Sequence, residues 1–286
     1  MDSRQLVLLA VQASVLSIVF GFGLGAGKSD FAYLFQRPGL LLRSLLAVLV
    51  IMPILAAVLV WAFDVRPTAE VALVALAISP TPPLLPRRDS TGGGNRSYAL
   101  ALMVVLALLS IVTIPLTVEL LQRVADRPLG ASPGAIARIV LTMTLAPLLV
   151  GMTVRTMSPG LAERVGQLAG RANRVLIPLA VVALLAASWR AILAAPGEGT
   201  ILALLVFVVA GFLVGHLMAG RHHGHALVLA LTSACRHPAI ALSVASANFP
   251  DEQFPGTILL YVILNAVVGL IYLAWMRGRR VAIATE

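Results

Sequence analysis

The segment TSACRHPAIAL, residues 232–242, places an arginine, a histidine and a proline side by side within an apolar stretch. Arg236 is charged at any physiological pH, and a guanidinium away from water needs a carboxylate, a phosphate, backbone carbonyls or water as its partner. Histidine side chains ordinarily titrate near neutral pH, which makes His237 a candidate to take up or release a proton. Pro238 removes a backbone donor and breaks a helix. These residue types indicate two chemistries, the binding of an anion and the transfer of a proton.

The composition shows why ionisable groups are unusual here. Of the 286 residues, 59% are hydrophobic and 12% are charged, and the mean hydropathy is +0.97. Soluble domains carry about 25% charged residues, so the sequence predicts an all-α integral membrane protein. About 20 apolar residues are needed for each crossing, which leaves no room for a separate catalytic domain. We expect residues 1–286 to form a single transmembrane unit without a cofactor.

Apolar runs separated by Gly, Pro and charge clusters predict about nine transmembrane helices. They lie at about 5–27, 39–63, 69–93, 95–122, 134–157, 168–193, 199–219, 224–249 and 254–276. With the N-terminus outside, fourteen of the 21 basic residues are cytoplasmic and six are external. The positive-inside rule therefore predicts a multi-pass protein of the inner (plasma) membrane with its C-terminus in the cytoplasm. The net charge of +9 is scattered between apolar segments, which indicates topology and no nucleic-acid partner.

Two of the predicted helices, the third and the eighth, contain sequences that cannot continue as a helix. The third contains ISPTPPLLP, residues 78–86, with four prolines, and the eighth contains Pro238. Irregular backbone at membrane depth is tolerated only against protein or a watery cavity. The broken helices are the third of the first four and the third of the last four, which predicts inverted repeats around an unpaired fifth helix. In transporters with such repeats, the discontinuous helices form the substrate site.

Six short motifs are spread along the chain: FGFGLGAGKSDFAYLFQRPGLLL (20–42), VLVIMPILAAVLVWAF (48–63), LVALAISPTPP (73–83), Gly94–Asn95, SACRHPAIALSVASANF (233–249) and LNAVVG (264–269). Together they resemble motifs of the bile acid:sodium symporter family. The fifth takes the place of the second broken segment of the family, and the last resembles its His-Asn-x-x-Gly motif. The resemblance extends from about residue 15 to residue 275 and implies the nine-helix form of the fold.

The resemblance implies a core domain at about residues 39–122 and 199–277, in which the broken helices cross, and a panel domain at about 5–27 and 134–193. It also implies where the family holds sodium. The matching positions here are Val48, Leu85, Pro86, Ala99, Met103, Thr232 or Ser233, and Arg236 or His237. Most of them lack a side-chain oxygen, and a guanidinium repels sodium, by about 4 kcal/mol for unit charges about 4 Å apart at an effective dielectric of about 20. We therefore expect no sodium coupling by the family mechanism.

The candidate substrate-binding residues lie at the two breaks and on the last helix. They are Arg236, His237, Ser79, Thr81, Ser233 and Asn265. Arg236 either binds an anionic group of the substrate or caps carbonyls freed by the break, and His237 either carries a proton or bonds exposed backbone. The hydroxyls of Ser79, Thr81 and Ser233 likewise bind either the substrate or the freed carbonyls. Asn265, carried over from the last helix of the family, either faces the cavity or bonds a neighbouring helix.

Other polar groups point less clearly to a function. GHLMAGRHHGHA, residues 215–226, holds four histidines but no Cys or carboxylate at ligand spacing, so we interpret it as a solvated cytoplasmic loop and predict no metal site. Arg87 and Arg88 fit either a cavity mouth that attracts anions or ordinary positive-inside residues. The sequence has no H-E-x-x-H motif, and its pattern does not predict an enzyme.

The sequence therefore predicts a secondary transporter of a small organic anion that works by alternating access in the lipid bilayer. A proton carried by His237 is the candidate coupling ion. The alternative is a non-transporting membrane sensor or interaction protein on the same fold, which the replaced sodium ligands favour.

Overall fold

The computed structural model describes residues 16–63, 65–82, 93–125, 133–172, 199–249 and 254–285, together with positions 13, 175 and 189. Among these residues, helix is the only regular secondary structure. Five helices in this part of the chain are long and apolar enough to cross a membrane: Pro38–Ala62, Arg96–Leu120, Ala137–Met157, Thr200–Met218 and Pro255–Gly278. The protein is thus an all-α, multi-pass membrane protein, as the composition predicts.

The first half of the described chain forms five helices. They are α1 (Leu16–Gly25), α2 (Lys28–Phe35), α3 (Pro38–Ala62), α4 (Pro67–Ile78) and α5 (Arg96–Ala125). Helix α2 was not predicted, and it lies between the helices predicted at about 5–27 and 39–63. The side chain of Asp30 explains where α2 begins: its Oδ2 accepts the N–H of Gly27 at 2.8 Å and so satisfies a donor at the helix start.

The second half forms six helices. They are α6 (133–157), α7 (159–172), α8 (Thr200–Met218), α9 (His223–Ala234), α10 (Pro238–Asn248) and α11 (Pro255–Thr285). The predicted sixth helix, at about 168–193, lies mostly outside the described residues, and α7 begins earlier than that prediction. The predicted eighth helix is two helices, because Pro238 ends the first and begins the second.

Two of the long helices contain a wide π-helical turn, at Leu46–Ile51 in α3 and at Leu141–Leu145 in α6. Each turn ends just before an X-Pro pair, Met52–Pro53 or Ala146–Pro147. The N–H of Met52 donates to the carbonyl of Ala47, five residues back. The next carbonyl in this pattern belongs to Val48, and its partner would be Pro53, which has no N–H. The proline therefore leaves the Val48 carbonyl free for another donor.

Helix α9 is the most deeply placed helix of the described chain. Every residue from Ala226 to Ala234 is buried, as expected for a helix that is apolar on all sides. Two glycines of α8 allow it to approach closely: a Cβ on Gly215 would lie 2.3 Å from the Leu229 carbonyl oxygen, and one on Gly211 would lie 2.8 Å from Ala234 Cα. The α8 and α9 backbones are therefore in direct contact, which holds the end of α9 inside the protein.

Candidate functional site

The two breaks contact each other through the backbone. Helix α4 ends at Ile78 and is followed by extended chain at Ser79, while Cys235 and His237, between α9 and α10, are also extended. The N–H of His237 donates to the carbonyl of Pro80 at 2.8 Å and lies 3.1 Å from Ser79 Oγ. The prolines thus interrupt both helices as predicted, and each break supplies hydrogen-bond partners that the other lacks.

Arg236 lies at this contact and is 2% exposed. Its Nη1 donates to the carbonyl of Ser79 at 3.3 Å, and its Nη2 donates to the carbonyl of Val48 at 3.2 Å. These two carbonyls are the partners found for the guanidinium among the described residues, and neither carries a formal charge. The positive charge is therefore held by backbone dipoles, with three of its five N–H groups still available.

Helix α11 supplies hydrogen-bond partners to the backbone at the end of α9. Tyr261 and Asn265, four residues apart and so on one helix face, donate to the carbonyl of Ala234 at 2.6 and 2.9 Å. The hydroxyl of Tyr261 also accepts the N–H of Arg236 at 2.7 Å, and Asn265 Oδ1 accepts the Cys235 thiol at 3.0 Å. The backbone of the second break is fixed by these contacts, which leaves the side chains of Arg236 and His237 for other partners.

Three buried polar atoms of the second break have no hydrogen-bond partner among the described residues. They are Ser233 Oγ, Arg236 Nε and His237 Nδ1. A buried polar atom left unpaired costs about 1–3 kcal/mol, so such atoms call for a partner that comes from outside the described chain. A hydroxyl, a guanidinium N–H and an imidazole nitrogen together can donate hydrogen bonds to an anion.

The predicted site residues are all buried, and the structure brings most of them together. Arg236, His237 and Ser79 are joined directly by hydrogen bonds, and Asn265 reaches the same break through Ala234. Thr81 Oγ1 lies 3.5 Å from the Thr232 carbonyl, which is a long contact. Ser79 Oγ donates to Leu76 O at 2.8 Å, so this hydroxyl bonds its own helix. Arg87 and Arg88 lie outside the described residues.

Two contributors to the site were missed by the sequence reasoning. Tyr261 was not singled out in the sequence, although its position four residues before Asn265 was a usable signal. Val48 was considered only as a position that lacks a side-chain oxygen, whereas its backbone carbonyl is what contacts Arg236. From the sequence alone, Pro53 indicates a free carbonyl four residues back, at Leu49, and only the π-helical turn moves it to Val48.

The histidine-rich segment differs from its interpretation as a solvated loop. His216 belongs to α8 and lies 2.7 Å from the Tyr272 hydroxyl, and His225 belongs to α9, with Nε2 lying 2.8 Å from the Tyr33 hydroxyl. Asn95 donates to the same hydroxyl at 3.0 Å. Both histidines lie within the helices predicted at about 199–219 and 224–249, so only the residues between Met218 and His223 form a connection.

A groove of about 610 Å³ opens between α1, α6 and α7. Its lining is mostly apolar, and none of the predicted site residues contributes to it. The groove is separate from the contact between the breaks, and nothing in the described residues shows what covers it.

A comparison with known protein families shows where this chain belongs. The sequence model of the sodium bile acid symporter family matches residues 13–203. The chain is a member of that family. The match includes the first break and ends before the second, so Arg236 and His237 lie beyond the matched residues. Members of the family are transporters, and a comparison with curated proteins gave no match.

Proposed function

We propose that this protein is a secondary active transporter of a small organic anion that works by alternating access and without the sodium coupling of the family. The observation that supports this most is the group of unpaired buried atoms at the second break, Ser233 Oγ, Arg236 Nε and His237 Nδ1. Buried polar atoms in folded proteins nearly always find partners. An anionic substrate supplies acceptors for these atoms and compensates the charge of Arg236.

In this proposal Arg236 has two roles that use different N–H groups. Its Nη atoms hold the carbonyls of Ser79 and Val48, which fixes the side chain, and its Nε side faces the substrate. His237 carries a proton or a hydrogen bond to the same anion, and Ser233 adds a hydroxyl. Thr81 and Asn265 lie at the edge of the site, where Asn265 positions the chain through Ala234.

The proposal includes an arrangement of the chain in the membrane. The core domain consists of about residues 39–122 and 199–277, and the panel domain of about 5–27 and 134–193, with inverted repeats in the nine-helix form. The protein lies in the plasma membrane. Its N-terminus is outside the cell and its C-terminus is in the cytoplasm. The contact between the breaks supports the core, because crossing broken helices must meet near the midplane.

The first experiment is a thermal-shift screen of the purified protein against carboxylates, sulfonates and phosphates, followed by uptake of any stabilising anion into liposomes. Arg236→Lys should weaken binding, and Arg236→Ala should nearly abolish it, because each charge-assisted hydrogen bond is worth about 1.5–3 kcal/mol, or roughly ten- to a hundredfold in Kd. Arg155→Ala is the matched control, since Arg155 donates to the Leu24 carbonyl at 3.0 Å from an exposed position.

The outcomes separate transport from other roles. An Arg236→Ala variant that stays folded and binds the anion as tightly as wild type would remove Arg236 from the site. Binding without uptake would favour a sensor. For the proton, His237→Gln is expected to bind the anion and to lose the pH dependence of accumulation, whereas His216→Gln keeps it.

A further inference from the structure

The two carbonyls that hold Arg236 are free for separate reasons, and both point at the same guanidinium. The Ser79 carbonyl follows the last turn of α4, where a helix leaves its carbonyls unsatisfied. The Val48 carbonyl is freed by the π-helical turn of α3, because Pro53 has no N–H to offer it. Their distances of 3.3 and 3.2 Å from Nη1 and Nη2 show one planar group spanning two backbone elements.

The helix ends around this group add to the negative potential. Helices α4 and α9 end at Ile78 and Ala234, directly before the two breaks that contact each other. The C-terminal end of a helix carries a partial negative charge. Two such ends therefore converge where the described residues place carbonyls, but no carboxylate, around Arg236.

Sites with this construction hold cations in other membrane proteins. In transporters built on discontinuous helices, unwound carbonyls and the C-terminal ends of half-helices coordinate the coupling ion. We infer that Arg236 is a resident cation, a guanidinium that permanently occupies a backbone cation site and replaces an exchangeable inorganic ion. The site is filled in every step of the cycle because its cation is part of the chain.

One consequence of this inference rests on the proposed function, namely that the anion is carried with no inorganic cation. The cation site itself stands on the contacts of Arg236 and can be tested without any substrate. The competing explanation is that Arg236 serves only as a hydrogen-bond donor to two carbonyls and that its charge has no role. The two explanations differ in whether charge is required.

The experiment is chemical rescue of the purified Arg236→Ala variant at constant ionic strength. Removing the side chain leaves a space that guanidinium fits, and millimolar guanidinium chloride is expected to recover most of the lost melting temperature. Urea at the same concentration is the matched probe, since it has nearly the same shape and donors but no charge. Arg155→Ala is the control variant and should gain nothing from either compound.

The results decide between charge and hydrogen bonding. Recovery by guanidinium supports the resident cation, whether or not sodium chloride at the same concentration also raises the melting temperature. Equal recovery by urea, or no recovery by any cation, overturns it. If Arg236→Ala does not fold, Arg236→Lys and Arg236→Gln are compared: the lysine variant keeps the charge and should melt higher. A glutamine variant that melts as high as the lysine variant overturns the inference.

A final measurement separates this inference from the proposed function. In the wild type, the affinity for the anion found by screening should be the same in sodium and choline salts. In Arg236→Ala, the affinity should recover with guanidinium. If guanidinium rescues the melting temperature while no anion binds to the wild type, the resident cation stands and the proposed transport of an anion fails.

Discussion

The two breaks differ in which residues satisfy the free backbone groups at the end of the helix before each of them. At the first break, Ser79 closes α4 locally, since its N–H and its Oγ both donate to carbonyls of the preceding turn. At the second break, the Ala234 carbonyl at the end of α9 is satisfied by Tyr261 and Asn265, which belong to α11. The end of α4 is thus satisfied within its own last turn, whereas the end of α9 depends on a distant helix.

The breaks also differ in charge and in their relation to the family. The described part of the first break, residues 79–82, has no ionisable side chain, and it lies within the matched residues 13–203. The second break carries Arg236 and His237 and lies beyond the match. The first break thus supplies carbonyls and the second supplies the charge. The charged side chains of the candidate site therefore come from the part of the chain that the family match does not cover.

The largest stability effect is expected from Gly215→Ala, which tests how rigidly α9 is held before the second break. The added methyl would lie 2.3 Å from the Leu229 carbonyl oxygen and 2.5 Å from Ala230 Cα. Because the atoms that it meets are backbone atoms, the helices must move apart, and the cost is expected at or above the upper end of the range of about 1–3 kcal/mol for overpacking. The gain of about 1 kcal/mol from replacing a helical glycine offsets only part of it. The melting temperature in detergent should fall.

Gly278→Ala is the control for this change, because a Cβ there has nothing within 4 Å. This variant should melt at or slightly above the wild-type temperature. Equal effects of the two substitutions would show that close α8–α9 packing does not hold the second break.

A smaller loss of stability is expected from Tyr261→Phe, which tests whether hydrogen bonds from α11 stabilise the second break. The hydroxyl accepts the N–H of Arg236 and donates to the Ala234 carbonyl. Removing it leaves a buried donor unpaired, at a cost of about 1–3 kcal/mol. Denaturant unfolding in mild detergent measures this cost.

Tyr272→Phe on the same helix provides the matched comparison. Tyr272 is only partly buried, and its hydroxyl lies 3.5 Å from the Ala226 carbonyl and 2.7 Å from His216. Water can replace these contacts, so the loss should be smaller. A larger loss for Tyr272→Phe would contradict the dependence of the second break on Tyr261.

The smallest effect is expected from Ser79→Ala at the first break. Its Oγ donates to the Leu76 carbonyl, and the N–H of His237 keeps the Pro80 carbonyl as a partner. The loss should be about 1 kcal/mol or less. Ser110→Ala is a close match, because Ser110 is also buried and its Oγ donates to the carbonyl three residues before it at 2.6 Å. If Ser79→Ala loses much more than Ser110→Ala, the first break is not closed locally.

The fold class and the positions of the breaks were predictable from the sequence because their causes are local. Apolar composition requires burial in lipid, and a proline ends a helix wherever it lies. Pro238 therefore located the second break, and the prolines after Ile78 located the first. The predicted site residues at the breaks were found buried for the same reason, since polar side chains in these segments must find partners inside the protein.

The partners themselves were not predictable, because they come from distant parts of the chain. Nothing near Arg236 in the sequence indicates Val48, which lies 188 residues away, or Tyr261. The Val48 carbonyl is free only because of a π-helical turn, and hydrophobic periodicity does not distinguish that turn from an α-helix. Helix α2 was missed for a different reason: its start depends on one local contact, between the Gly27 N–H and Asp30, which the apolar runs do not reveal.

The fixed charge of Arg236 has an electrical consequence. A guanidinium that belongs to the chain moves through the membrane electric field whenever its helices move in the proposed cycle. With a monovalent anion beside it, the moving part is neutral, and without the anion it carries one positive charge. An elementary charge that crosses the whole field changes in energy by about 2.3 kcal/mol per 100 mV. In a cycle without a proton on His237, voltage therefore acts on the return of the empty protein, whereas a proton on His237 gives the loaded step one positive charge as well.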